Sequence, residues 1–316
     1  MILGTRGSPL AIAQSRWVRD RLCEASPGLE IDMVVIRTTG DQQASPPDVF
    51  FGAPGGASLK GIFVKEIEDA LLEGRIDLAV HSLKDLPTDQ PEGLVIASLP
   101  SREDPRDVLV TREGTGLDDL PRGARLGTGS PRRAAQLRRA RPDLVIEPVR
   151  GNVDTRVKRM KEGRFDGVVL AAAGLSRLGL LAEGALEGAA AVGIPVEACL
   201  PAVGQGALAI ETRREDDAAR AVSNAIADEV TRREITAERA FLAALGGGCR
   251  VPVAALARVQ AGGELWLRGM VAAPDGSACL HVDRRGAADR AEEIGRWLAK
   301  DAMERGAGRL LSAPAD

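Results

Sequence analysis

The sequence is poor in aromatic residues, at 3% of its 316 positions. That scarcity removes the stacking platforms on which single-strand nucleic-acid binders depend. The net charge is −3, so no global cationic field points to a polyanion either. Histidine occurs only at His81 and His281, which argues against histidine-based metal chemistry. The four cysteines, Cys23, Cys199, Cys249 and Cys279, lie far apart with no C-x-x-C pair. Neither a zinc site nor a disulfide framework is expected from that spacing. No apolar run approaches the roughly 20 residues needed to cross a bilayer. The first six residues show no charged-then-apolar secretory signal. The expectation is a cytoplasmic protein with no metal, no membrane and no nucleic acid among its partners, and nothing demands more than a monomer.

What is present is ordinary globular material, 44% apolar and 28% charged, in a chain long enough for two or three cores. The first two-thirds alternates β-branched runs with helical patterns, which is the signature of α/β architecture. Strands are predicted over 31–37, 76–80, 95–99, 108–111, 144–149 and 167–170. Helices are predicted over 62–72, where Gly74 supplies the stop, and over 132–141, stopped by Pro142. Residues 41–61 hold Pro and Gly in quantity without periodicity, a composition that marks either a lid over a site, the reading preferred, or a disordered segment. After residue 215 the pattern changes to helices near 216–229 and 231–245. Strands at 251–258 and 264–272, a Pro274-Asp275-Gly276 turn, another strand and a helix near 288–304 follow. That reads as a small α+β domain.

Although the chain is acidic overall, residues 132–159 gather Arg132, Arg133, Arg138, Arg139, Arg141, Arg150, Arg156, Lys158 and Arg159. A local cationic surface on an acidic protein suits a small anion with several carboxylates, because arginine forks bind carboxylates in bidentate fashion. A solvated helix face is the plainer account, and it fits Arg138, Arg139 and Arg141 better than Arg150 or Arg156. There is also an internal echo. Gly4-Thr5-Arg6-Gly7-Ser8-Pro9 is similar to Gly127-Thr128-Gly129-Ser130-Pro131, and each opens a helical pattern with a Ser cap and Pro at the first position. Either copy alone reads equally as a plain helix start, but two copies, each beside arginine, favour anion binding.

Further candidate residues follow strand-like runs, where ligands sit in parallel α/β sheets. His81-Ser82-Leu83-Lys84-Asp85-Leu86-Pro87 places an acid beside a lysine; it is either a paired surface charge or a carboxylate that stabilises a cation and directs a proton. Leu200-Pro201-Ala202-Val203-Gly204-Gln205-Gly206 reads equally as a ligand loop or a hinge. Cys249 follows three glycines. Buried cysteine is usually inert filler, which is the plainer reading of Cys249 taken alone, though its loop position is accessible, and the reading kept for Cys23, Cys199 and Cys279.

Taken in order along the chain, these segments resemble the porphobilinogen deaminase (hydroxymethylbilane synthase) family over nearly their whole length. Gly61-Ile62-Phe63-Val64-Lys65-Glu66, Arg102-Glu103-Asp104-Pro105-Arg106-Asp107, Arg150-Gly151-Asn152-Val153, Thr236-Ala237-Glu238-Arg239 and Gly247-Gly248-Cys249 add to the match. The resemblance implies two periplasmic-binding-protein-like lobes around a cleft, with a small C-terminal α+β domain. Lobe 1 is expected over 1–99 and 204–222, lobe 2 over 100–203, and the C-terminal domain over 223–316. It implies a transferase that deaminates four porphobilinogen molecules and joins them on a dipyrromethane cofactor, held by a thioether to Cys249, releasing hydroxymethylbilane and ammonia. By position Asp85 matches the catalytic aspartate. Ser82, Lys84, Asp85, Thr128, Ser130, Arg132, Arg133 and Arg156 match positions that hold the cofactor. Arg6, Ser8, Lys60, Arg150, Arg156, Arg177 and Gln205 match positions that grip substrate. The rival from another class is a non-catalytic two-lobed binder of small anions; it would need neither Asp85 nor a reactive Cys249.

Overall fold

A computed structural model describes residues 1–36, 64–246 and 252–312. The segment 41–61 with Lys60, and Cys249, lie outside the described residues. The chain divides into two compact units: Met1–Glu103 with Ala207–Arg232, and Asp104–Gly206 with Arg233–Asp316.

In the first unit, strand β1 (Ile2–Arg6) leads through Ser8 into helix α1 (Pro9–Ala25), then to β2 (Asp32–Ile36). Helix α2 (Lys65–Leu72), β3 (Leu78–Ser82), a 3-10 turn (Leu83–Asp85) and β4 (Leu94–Ser98) follow. In the second unit come β5 (Asp107–Thr111), β6 (Arg125–Gly127), α3 (Pro131–Ala140), β7 (Val145–Glu147), α4 (Val153–Lys161), β8 (Gly167–Ala171), α5 (Ala172–Arg177) and β9 (Ala190–Gly193). The chain returns to the first unit for β10 (Leu208–Arg213) and α6 (Asp217–Asn224), and α7 (Glu229–Ala244) spans the boundary. The second unit ends with β11 (Val253–Val259), β12 (Glu264–Ala272), β13 (Cys279–Ala287), α8 (Ala291–Glu304) and α9 (Ala307–Leu311).

The first sheet runs β2-β1-β3-β10-β4 and the second β7-β6-β8-β5-β9. Each has three neighbouring parallel strands, then an antiparallel one: β10 against β3, and β5 against β8. The internal echo therefore has a structural meaning. β1 and β6 occupy the same place in their sheets, and each hands over to a helix that begins Ser-Pro.

Side chains alternate between the two faces of each sheet, as period 2 requires. Leu78 and Val80 join Leu3, Val18 and Leu22 on the α1 side, while Ala79 joins Ile67 and Leu71 on the α2 side. Likewise Val168 and Leu170 pack with Val157 and Met160 of α4, and Val169 with Leu126 and Leu137 on the α3 side. Helices on both faces of mostly parallel strands make an α/β fold, as the alternation in sequence predicts. The third sheet, β11-β12-β13, is antiparallel throughout. Its inward face meets α7 and α8 around Phe241, Leu265, Leu267 and Leu298, all fully buried. That is the small α+β element expected at the C-terminal end.

The differences from the expected elements have physical causes. The strand expected over 76–80 runs from Leu78 to Ser82, because Arg75 and Ile76 close the preceding turn through bonds to Ala70 O. Strand β10 went unrecognised because it carries Glu211 and Thr212, both fully buried. The helix near 216–229 ends at Asn224. Among the described residues no helix is long and apolar enough to cross a membrane.

Candidate functional site

In both α/β sheets the candidate residues gather at the carboxyl ends of the parallel strands, where such sheets bind ligands. Arg6 closes β1, and Ser8 caps α1 by accepting from Ala11 N at 3.3 Å, with Pro9 at the first helical position. Ser82 closes β3 and Asp85 ends the 3-10 turn behind it. In the second unit Thr128 and Ser130 follow β6, Arg150 follows β7, Arg156 lies in α4, and Arg177 ends α5 behind β8.

In the first unit, the turn that presents Asp85 is pinned by its backbone. Leu83 N donates to Ala207 O at 3.1 Å, and Leu86 N donates to Leu83 O at 3.1 Å. Leu83 is buried beneath it and Asp85 is exposed. The Asp85 carboxylate has no hydrogen bond or ion pair to any described residue, so it faces outward from a fixed turn with both oxygens available. Ser82 is not equally free, because Nε2 of the buried Gln14 of α1 donates to its hydroxyl at 3.0 Å. Behind the same strand His81 Nε2 lies 3.1 Å from Glu211 Oε2, both buried. Glu68 of α2 senses that pair: burial, then the Glu211 charge, raises its pKa above 4.5.

The second unit is organised by helix α3. Ser130 accepts from Arg133 N at 3.4 Å and Thr128 Oγ1 accepts from Ser130 N at 3.2 Å, which shapes the helix start. Arg132 and Arg133, read in the sequence as ligand cations, are each 5% exposed. Both converge on Asp107, which is fully buried. Arg132 Nη1 donates to its Oδ2 at 2.7 Å, and Arg133 Nε and Nη2 donate to its Oδ1 at 2.9 and 2.7 Å. Burial alone would raise the Asp107 pKa; the two guanidiniums more than offset that and hold it far below the carboxylate range. Gln205 Nε2 joins the same Oδ1 at 2.8 Å. Cys199 is buried beside this cluster and its thiol is pushed up to about 12, first by burial and then by the Asp107 charge. That is the inert behaviour expected of it.

Arg156 has a different environment. Its Nε donates to Gly151 O at 2.7 Å, a reach made possible by the positive φ of Gly151, +105°. Its pKa is pulled down to about 10, by burial first and then by the charges of Arg133 and Arg159. No carboxylate among the described residues pairs with it. Arg159 Nη1 donates to Arg150 O at 3.1 Å, and Arg177 Nη2 donates to Gly206 O at 2.7 Å. Arg133, Arg156 and Arg159 thus bring three positive charges together, against the single Asp107 carboxylate that Arg132 shares. Such a surplus in a half-buried place is stabilised by an anion with several carboxylates. Of the three arginines that a solvated face was to explain, Arg139 is exposed, Arg138 donates to Pro274 O at 3.3 Å, and Arg141, just past α3, clamps Asp143 and the carbonyls of Leu117 and Leu120.

Sequence reasoning gave no role to Asp107 or Gln14. Asp107 could have been suspected, since an acid opening an apolar strand run, Asp107–Thr111, needs cations once buried. Glu238 also went unassigned; fully buried, it accepts from Gly204 N at 2.8 Å and Ala257 N at 2.9 Å, fixing the loop that carries Gln205. Among the described residues no cluster of three or more His, Cys, Asp or Glu could hold a metal ion.

Comparison with known proteins gives a consistent result. Residues 1–221 match the family model described as "Porphobilinogen deaminase, dipyromethane cofactor binding domain". Residues 232–304 match "Porphobilinogen deaminase, C-terminal domain". The chain is 49% identical to the porphobilinogen deaminase of Syntrophus aciditrophicus over 98% of this chain and 97% of that one. It is 50% identical to that of Sorangium cellulosum over 95% and 97%. Among solved structures it is similar to a Salmonella typhimurium periplasmic binding protein with high arginine specificity, at 17% identity over 73% of this chain and 93% of that one, TM-score 0.40. That likeness is too remote to favour the binder reading.

Proposed function

The chain belongs to the porphobilinogen deaminase family, and from that premise we propose how its own residues divide the work. The reaction is the deamination and head-to-tail joining of four porphobilinogen molecules on a covalent dipyrromethane, with release of hydroxymethylbilane and ammonia. Asp85 is the catalytic carboxylate. Loss of ammonia from porphobilinogen leaves a cationic pyrrole, and a carboxylate beside it lowers the barrier to forming that cation; placed charges of this kind are usually the largest catalytic term. The observation that carries this role is the exposed Asp85 carboxylate, without a partner among the described residues, on a turn whose backbone is tied down. A carboxylate spent on a surface ion pair would not be left so.

The dipyrromethane, anchored at Cys249, supplies the pyrrole carbon onto which units are added. Its acetates and propionates suit the residues present: the surplus charge around Arg133 and Arg156 and the helix start at Thr128 and Ser130 support this fit. Ser82, Lys84 and Arg132 complete the cofactor's surroundings. Arg6, Ser8, Lys60, Arg150, Arg156, Arg177 and Gln205 hold the incoming porphobilinogen, and holding it aligned recovers much of the entropic barrier. The domain reading is two α/β lobes, 1–99 with 204–222 and 100–203, and a cofactor-anchoring domain over 223–316, with 41–61 as a lid. The enzyme works as a cytoplasmic monomer.

The test is Asp85→Asn. The expected result is a folded protein, unchanged in melting temperature because no hydrogen bond or ion pair to a described residue is lost, with turnover reduced by about 10² or more. Turnover within a factor of about three of the parent would remove Asp85 from the mechanism.

A further inference from the structure

Asp107 opens β5 and pairs in register with Ala171, the last residue of β8, so it stands at the ligand-binding edge of its sheet. Its two oxygens receive five donors. Oδ1 takes Arg133 Nε, Arg133 Nη2 and Gln205 Nε2 at 2.9, 2.7 and 2.8 Å. Oδ2 takes Arg132 Nη1 at 2.7 Å and the Cys199 thiol at 3.3 Å. Arg132 is further committed, donating from Nη1 to Leu200 O at 2.6 Å. Arg133 is held on its other side by Val169 O, which accepts from Nη1 at 2.9 Å. Three side chains that the sequence assigns to ligand binding, from segments 26 and 98 residues away from Asp107 in the case of Arg133 and Gln205, are therefore fixed by one carboxylate that touches no ligand-facing solvent.

The charge balance is as informative as the geometry. One carboxylate serves two guanidiniums, so it locks their direction while cancelling only one of their two charges. A second carboxylate in its place would cancel the cluster; none would leave two buried cations unsupported. A single shared carboxylate holds both guanidiniums rigid and leaves one net positive charge for a ligand.

We propose that Asp107 is a positioning residue of the carboxylate-binding site, acting through Arg133: it fixes that guanidinium by its Nε–Nη2 edge and leaves one net positive charge on the Arg132–Arg133 pair. The inference rests on reading this face as the place where cofactor and substrate carboxylates are held. Asp107 thus acts on the KM for porphobilinogen indirectly, through the cofactor that Arg133 holds ready to receive each unit and through Gln205, without contacting porphobilinogen.

The experiment is a double-mutant cycle on the holoenzyme with Asp107→Asn, Arg133→Gln and the pair, measuring KM, kcat, melting temperature and the intact mass of denatured protein. Asp107→Asn is expected to raise KM by about tenfold or more, and to lower the melting temperature by on the order of 10 °C. In the Arg133→Gln background the same change leaves KM where Arg133→Gln alone put it. A folded Asp107→Asn with KM within about twofold of the parent, or KM factors that multiply in the pair, overturns the proposal. Should Asp107→Asn not fold, Arg133→Lys decides. It keeps the charge and loses the fork, so KM close to that of Arg133→Gln supports aiming, and KM close to the parent refutes it. The parent protein is the control on the underlying reading. A parent with neither adduct mass nor turnover overturns that reading and this assignment together, whereas a normal parent isolates the failure to Asp107.

Discussion

Replacing Arg156 by Gln separates a ligand-holding arginine from a structural one by the sign and size of its effect on stability. Arg156 is a half-buried cation among cations, with its pKa pulled from 12.5 down to about 10, first by burial and then by Arg133 and Arg159. Each pH unit of a pKa displacement is worth about 1.4 kcal/mol. Keeping this charge in place therefore costs the folded protein at most about 3 kcal/mol, and solvent screening at a half-buried side chain brings the effective cost to about 1 kcal/mol. Against this, the Nε bond to Gly151 O at 2.7 Å is lost, a contribution of about 0.5–1.5 kcal/mol. The two cancel, so Arg156→Gln should melt within about 2 °C of the parent. The same change removes a charge-assisted fork from the ligand, about 1.5–3 kcal/mol, which raises KM for porphobilinogen roughly 10- to 100-fold. Scanning calorimetry and steady-state kinetics on one preparation read both quantities. A fall of 6 °C or so with an unchanged KM would mean that Arg156 is a structural residue and that the surplus-charge argument is wrong.

Two further predictions concern parts of the fold that support the site. Glu68 has its pKa raised by burial and by Glu211. A raised carboxylate pKa gives stability that is complete at low pH and lost as pH rises through the folded value. Glu68→Gln should therefore melt a few degrees above the parent at pH 8, with the gap closing below about pH 4; a constant gap across that range would contradict the electrostatic account. Gly295 lies inside α8, where Ala would normally gain about 1 kcal/mol. Here an added Cβ would stand 2.3 Å from Ala237 O and 2.9 Å from Phe241 N, both backbone atoms of α7. Gly295→Ala should instead destabilise, by about 1–3 kcal/mol, as read by urea unfolding; a stabilised variant would mean that α7 and α8 can part at little cost.

The sequence made the architecture largely legible, for local reasons. Ser8-Pro9 and Ser130-Pro131 carry the cap and first-turn chemistry of their helices on their face, and both helices begin there. The repeated segment even marked equivalent positions in two sheets. Of the strands that escaped, β6 and β9 are only three and four residues long, β1 runs through Gly4 and Thr5, and β10 has its signal cancelled by burial of polar groups. Strand β10 holds Glu211 and Thr212 at zero exposure, which no period-2 pattern suggests. The site was legible in residue identity and not in contacts. Asp85 stood out because it follows an apolar strand, and its exposure agrees with that. Arg132 and Arg133 looked like free cations because Asp107, which holds them, lies 25 and 26 residues earlier. Only the pairing of β5 with β8 brings it near. Glu238 was hidden in the same way, its partners Gly204 and Ala257 lying 34 residues before it and 19 after.

The most direct test of the central claim is the intact mass of the denatured protein, before and after addition of porphobilinogen. A resting mass above the sequence value by one dipyrromethane, absent from Cys249→Ala, with a ladder of further pyrrole units once substrate is added, is the predicted result. A mass equal to the bare sequence that stays there after reconstitution with preformed hydroxymethylbilane, and does not move with substrate, would contradict it.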